Sequence, residues 1–404
     1  MKYAVLLDQV KTYNPSTYHA TRNYTNGDVT AWSPYISRGF LNPLLVMEAL
    51  KSKYNKQAWI GFMQQMAWRE YFQRVWQNKG DFILEDLKSN QTDVLLKNLP
   101  IPIKESRTGI DAIDVSIIQF YKDGYLHNHQ RMYISMLHSN IFKAAWLPGA
   151  QWMYAHLLDH DPAANFLSWQ WVAGTFSSKK YVANQDNINK YTNTKQTKTF
   201  LDTEYENLPN AIFDSSGHLK PNLIAAWKQS EGQFLDQPFE LDTIQIVKKL
   251  ISKNEYPIFD LGRLDNTLPF CIYNSFNLDP LWHAGEKVNR ILLVEPGHYA
   301  KFPVAENVMQ FIIDLGVSNI PDLQIFVGSF EALKNSIDKD VIEKMGSNEN
   351  TIIKINKPLI YFKEHPTTIH YRGIQEERDW LFPEIDGYYP SFFGYWKKCE
   401  RFLK

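Results

Sequence analysis

The chain has 404 residues, enough for two or three domains, and an apolar fraction of 44% that is ordinary for a globular protein. A net charge of −1 supplies no global positive field, so any nucleic-acid contact has to be local. Two cysteines, Cys271 and Cys399, exclude a four-cysteine zinc or iron–sulfur site built from this chain alone; with an opening MKYAVLLDQ too short for a signal-peptide core or a membrane span, they suggest a soluble cytoplasmic protein.

The first 175 residues read as mostly helical. In GFLNPLLVMEALKSK, Asn42 is an N-cap and Pro43 takes the first helical position. Residues 56–78 carry an apolar stripe at helical spacing (Trp59, Phe62, Met63, Met66, Tyr71, Val75). DAIDVSIIQFYKDG ends at Gly124, a natural C-cap, and residues 128–146 and 149–158 read as two further helices. Residues 184–206 are polar and read as a loop or linker.

Beyond about residue 240 the pattern changes. RILLVEP (290–296), DLQIFVG (322–328), TIIKI and LIYF are strand-like, and 302–316 is a helical pattern closed by Gly316. Strands alternating with helices predict an α/β unit with a partly parallel sheet. The expected organisation is a helical domain over 1–210, a connection over 211–245 and an α/β domain over 246–404. GHYAKFP and FVGSF follow strand-like runs, but without a glycine-rich phosphate fingerprint no second cofactor is expected there.

The richest stretch is HLLDHDPAANFLSWQWVAGTF, 156–176. Asp161-Pro162 is a helix start, and Asn165 and Trp169 lie one turn apart on one face. A cap and core aromatics explain this stretch when it is taken alone. HNHQRM at 127–132 adds Arg131, which needs a carboxylate if buried; Asp159 is the candidate. A polar site inside an aromatic-rich bundle suits a flat heterocycle with donors and acceptors on its edges. His127 and His129 lack a second ligand cluster nearby, so no metal is expected.

Six motifs in order resemble the FAD-binding helical domain of the photolyase/cryptochrome family. They are Tyr18 with Arg22-Asn23-Tyr24; VTAWSPYIS at 29–37; Trp68-Arg69-Glu70-Tyr71; Thr108-Gly109 with Asp114; His127-Asn128 with Arg131-Met132; and Asp159, Asp161, Ala163, Asn165, Trp169-Gln170-Trp171. They span about residues 18–176. The fold class implied is mainly α: a photolyase-like FAD-binding helical domain, here without the usual preceding α/β domain and followed by a C-terminal α/β domain.

The resemblance implies FAD as cofactor. Thr30, Ser33 and the backbone at Trp32 match positions that hold phosphate and ribityl oxygens, while Val29 replaces a usual hydroxyl. Tyr18, Arg69, Gln65 and Asn128 match further cofactor-lining positions. Arg131 and Asp159 match the ion pair beside the flavin ring, Asp161 the acceptor at the flavin edge, and Asn165 the residue facing flavin N5. Trp169 and Trp146 match the inner and middle members of an electron-hopping chain; the segment expected to supply the outer one, about 77–107, holds no Trp. Trp152, Tyr133 and Tyr154 are the candidates to replace it.

Gln65, Trp68, Asn128, Met132 and Trp171 match positions around a flipped-out pyrimidine dimer. Gln65 stands where dimer photolyases carry a glutamate, Tyr125 replaces a tryptophan and His129 a basic residue; Lys179 and Lys180 are the nearby compensating cations. The expected function is blue-light-driven repair of pyrimidine dimers in DNA by a deoxyribodipyrimidine photolyase-type lyase, with damaged DNA as partner and no membrane. The alternative is a non-repairing blue-light photoreceptor with a signalling partner, and the third reading is a degenerate relative with an empty pocket.

Overall fold

The computed structural model describes residues 1–227, 236–253, 255–345 and 358–403. The chain divides into two units: one holds residues 14–31, 54–241 and 385–404, the other 1–13, 32–53 and 242–384. These bounds differ from the expected ones at both ends. The N-terminal helix Tyr3–Thr12 and the segment 32–53 pack with the sheet unit: Lys2 Nζ donates to the Ser318 carbonyl at 2.6 Å, and Tyr35 meets Phe311 edge-on at 5.9 Å. The last twenty residues return to the helical unit.

The helical unit is built from locally specified helices. The long helix Lys56–Lys79 starts where the Asn55 side chain accepts from Ala58 N at 3.1 Å. Asp111–Asp123 ends at Gly124, whose φ of 65° is the left-handed cap expected. Its start explains the Thr108-Gly109…Asp114 motif: Asp114 accepts from Thr108 N, Thr108 Oγ1 and Gly109 N at 2.7–3.0 Å, closing the loop before the helix.

Residues 128–146 do not form one helix. Asn128–Met136 passes into a π-turn at Leu137–Ile141, and a new helix begins at Trp146 and runs to His156. The break has a backbone cause: Leu95 N and Leu96 N donate to the Lys143 carbonyl, and Ala145 N donates to the Leu96 carbonyl at 2.9 Å. The expected loop 184–206 likewise contains a helix, Gln185–Thr192, capped by Asn184 and ended by Asn193 at φ 57°. Its scarce apolar residues hid it, because only Ile188 and Gln185 are buried.

Helix Pro162–Ala173 is buried nearly all round and sits centrally in this unit. The high aromatic content fills this core, with Tyr71, Phe120, Phe142, Trp152, Tyr154, Phe166 and Trp169 all buried.

The second unit is a five-stranded parallel sheet. The strands are β1 Phe270–Tyr273, β2 Asn289–Val294, β3 Leu323–Val327, β4 Ile360–Lys363 and β5 Ile374–Glu376, in spatial order 3-2-1-4-5. β1 and β2 are buried along their whole length, as parallel strands covered on both faces require. The order reverses beside β1, where Phe276 stacks on His365 at 4.4 Å and the buried Arg38 lies 5.0 Å over Phe276.

β1 and β5 were not among the expected strands, and TIIKI lies outside the described residues. Gly316 does not end its helix, which runs Glu306–Asn319; a Cβ there would come within 3.0 Å of Leu323, so the glycine serves close packing on β3. Among the described residues no helix is long and apolar enough to cross a membrane.

Candidate functional site

Asp161 caps helix Pro162–Ala173 by accepting from Ala164 N at 2.9 Å through Oδ1. Its Oδ2 accepts from Arg69 Nη2 at 3.2 Å and from Gln73 Nε2. Arg69 and Gln73 stand one turn apart on the long helix, so both reach the same oxygen. A carboxylate only 1% exposed needs such compensation. Gln73 was missed by the sequence reading; its spacing of four from Arg69 was the available signal.

Two residues earlier, Asp159 Oδ2 pairs with Arg131 Nη2 at 2.8 Å. Arg131 Nε donates to the Leu126 carbonyl at 2.9 Å, and its guanidinium lies 5.8 Å over Tyr125, whose phenol is pushed up chiefly by burial. Among the described residues, Asp159 Oδ1 and Arg69 Nε are buried without a hydrogen-bond partner. One is an acceptor and the other a donor. A buried polar atom left alone is costly, so each of the two calls for a partner of the opposite kind.

Asn165 follows one turn after Asp161 and donates Nδ2 to the Ala150 carbonyl at 2.8 Å. Trp169 comes one turn later, 2% exposed, with Nε1 unpartnered among the described residues. Its ring meets His138 edge-on at 5.2 Å. Burial pushes the His138 imidazole down to about 3, so it is neutral at ordinary pH. Gly149 permits this approach: a Cβ there would lie 2.6 Å from Trp169.

Trp146 is also buried, and its indole N–H donates to Asp86 Oδ1 at 2.7 Å. Of the residues weighed as an outer relay, Trp152 donates to Tyr121 Oη at 2.9 Å, and Tyr121 is 36% exposed. Tyr133 Oη is bonded to Asn187, and Tyr154 stacks on Phe166 at 5.7 Å. Gln170, between the two tryptophans, donates to the Ile83 carbonyl and accepts from Leu87 N at 3.1 Å, tying the helix to the chain after the long helix.

The remaining residues are more scattered. Tyr18 is half-buried edge-on against Phe62 at 5.1 Å, its phenol pushed up to about 12 by burial. Asn128 is exposed at the start of its helix and donates to Met132 Sδ at 3.5 Å. Gln65 is half-buried on the long helix, and Trp171 is 38% exposed, 6.1 Å from Tyr181. Lys180 pairs with Asp93.

Thr30 belongs to the helical unit, whereas Trp32 and Ser33 belong to the sheet unit. There Trp32 is buried edge-on to Tyr13 at 5.2 Å, and Ser33 opens a five-residue helix. Trp68, expected to face a substrate base, is stacked by Phe392 from the chain's own C-terminal helix at 3.7 Å.

With this geometry in view, the comparisons with known proteins are specific. Residues 62–242 match the family described as the FAD binding domain of DNA photolyase. Cryptochrome DASH, chloroplastic/mitochondrial, of Oryza sativa subsp. japonica is 29% identical over 216 residues, 49% of this chain and 34% of the relative. Deoxyribodipyrimidine photo-lyase of Halobacterium salinarum is 27% identical over 172 residues, 39% of this chain and 35% of the relative. The chain thus spans about a third of these two relatives, 34% and 35%. A bacterial class III photolyase structure from Agrobacterium tumefaciens shares 21% identity at a TM-score of 0.41, over 47% of this chain and 44% of that one.

The helical unit is an FAD-binding domain of the photolyase type. Through residues 62–242 the chain resembles the photolyase/cryptochrome proteins, and the cofactor of such a domain is FAD. The unpartnered Arg69 Nε and Asp159 Oδ1 leave one donor and one acceptor free, the two functions that the ring edge of that cofactor can answer.

Proposed function

We propose that the protein repairs pyrimidine dimers in DNA under blue light, as a deoxyribodipyrimidine photolyase-type lyase. The observation that carries this reading is one buried segment with Asp159, Asp161, Asn165 and Trp169 in register, joined to Arg131 and Arg69 from two other helices. The bound flavin, when reduced and excited, supplies an electron that splits the dimer and is then returned.

The chain's own residues do the rest. Arg131 and Asp159 address the ring edge as a neutral pair, and Asp161 holds Arg69 in place. Asn165 offers an amide to N5, a hydrogen bond without an acidic proton. Thr30 serves the phosphate and ribityl oxygens, and Tyr18 lines the cofactor. Trp169 and Trp146 refill the site with electrons. Gln65, Asn128, Met132 and Trp171 hold the lesion, with Trp68 as a stacking surface.

The relatives include both photolyases and cryptochromes. The cover on Trp68 favours a second reading, a light receptor that does not repair. Blue light with a reductant and a dimer-containing oligonucleotide separates the two. Light-dependent recovery of thymine absorbance supports repair; none, from a protein that holds FAD, favours the receptor.

A further inference from the structure

Phe392 lies parallel to the Trp68 indole, with ring centroids 3.7 Å apart and planes 11° from coincidence. This is the geometry of a base stacked on an aromatic side chain, formed here by the chain itself. Other aromatic contacts of Trp68, with Tyr71 at 5.9 Å and 80° and Phe72 at 5.4 Å and 44°, are not parallel.

The helix carrying Phe392 is firmly held. Ser391 caps it, Tyr395 donates to the buried Glu70 Oε1 at 2.7 Å, and Lys88 Nζ donates to the Pro390 carbonyl at 2.9 Å. Phe392 and Tyr395 are buried, 3% and 0% exposed. Glu70 is two positions beyond Trp68 on the long helix, so one end of the C-terminal helix is clamped beside the indole that Phe392 covers.

We propose that Phe392 is a specificity-determining residue of the substrate site: it takes the stacking place on Trp68, so that a nucleobase reaches Trp68 only when Phe392 yields, and Trp171 is the indole left open for a base. This rests on the reading above that nucleic acid is the substrate. It deepens that reading by making the exposed Trp171, rather than Trp68, the first contact with an unpaired base.

The experiment uses the full FAD-loaded chain in the dark, with fluorescently labelled single-stranded oligothymidylate as probe. Wild type, Phe392→Ala, Phe392→Leu, Trp68→Ala, Trp171→Ala and the double variant Phe392→Ala with Trp68→Ala are compared by anisotropy. Phe392→Ala is expected to bind tighter by roughly five- to a hundredfold, the span of one base stack, and the double variant to lose that gain. Trp171→Ala is expected to weaken binding.

Phe392→Leu keeps the apolar volume but not the flat ring, so it carries the test if the alanine variant loses FAD, with a smaller gain of the same sign. Equal binding by wild type and both Phe392 variants overturns the proposal. So does a gain that survives loss of Trp68, or no binding by any variant. Failure of the repair reading looks different: no light-dependent dimer splitting, while dark binding still responds to Phe392.

Discussion

Trp146 gives its indole N–H to Asp86 at 2.7 Å, so one of the two tryptophans proposed as electron relays carries a carboxylate at its nitrogen. A negative charge there lowers the cost of forming a cation on the buried indole, although Asp86 itself is exposed and water screens part of its charge. Asp86→Asn keeps an acceptor and removes the charge. Flavin photoreduction followed by absorbance is expected to slow several-fold in this variant and to slow sharply in Trp169→Phe. Unchanged rates in both would remove these tryptophans from the electron path.

Asp161 joins three donors at one buried point. Asp161→Ala removes an N-cap, about 1 kcal/mol, and strands Arg69 and Gln73, about 1–3 kcal/mol more. Denaturant unfolding is expected to show a loss of about 2–4 kcal/mol, with reduced FAD content after gel filtration. A loss under about 0.5 kcal/mol, within the range of ordinary surface changes, would contradict the geometry.

Gly149 leaves room for Trp169 against His138. Gly149→Ala forces the indole or the helix to shift, an overpacking cost of about 1–3 kcal/mol. Lower thermal stability and an altered rate of flavin photoreduction are expected together. Stability unchanged to within about 0.3 kcal/mol would mean that the helix accepts the methyl group without moving Trp169.

His138 is held at about 3 in the folded chain, below its ordinary value of 6.5. The unfolded chain therefore binds a proton that the folded chain refuses between those limits. Stability is fully present above about pH 6.5 and falls as pH drops toward 3, by up to ~1.4 kcal/mol per unit from this one group. His138→Gln removes one proton from that dependence. Unfolding free energies measured at pH 6.5, 5.5 and 4.5 should show a shallower slope in the variant; parallel slopes would sink the assignment.

Many of the helices were legible because their signals are local. Asn42-Pro43, Asp161-Pro162 and Gly124 each act on backbone groups within a few residues, and all three stand where expected. The pairing of Arg131 with Asp159 was legible too, since a buried guanidinium needs a carboxylate. The break before Trp146 was not, because it depends on Leu95 and Leu96 pairing with a chain segment nearly fifty residues away.

By itself, the sequence determined the caps, the strand runs around β2, β3 and β4, and the four later motifs, from Trp68 to Trp171, that fall within the FAD-binding match. Only the tertiary structure decided that Gln73 shares Asp161 across 88 residues and that Tyr395 clamps Glu70 across 325. It alone ordered the strands 3-2-1-4-5 and laid Phe392 on Trp68. Periodicity states which face of an element is apolar. Which distant face meets it is settled by packing, where burial and hydrogen-bond satisfaction are shared between partners far apart in the chain.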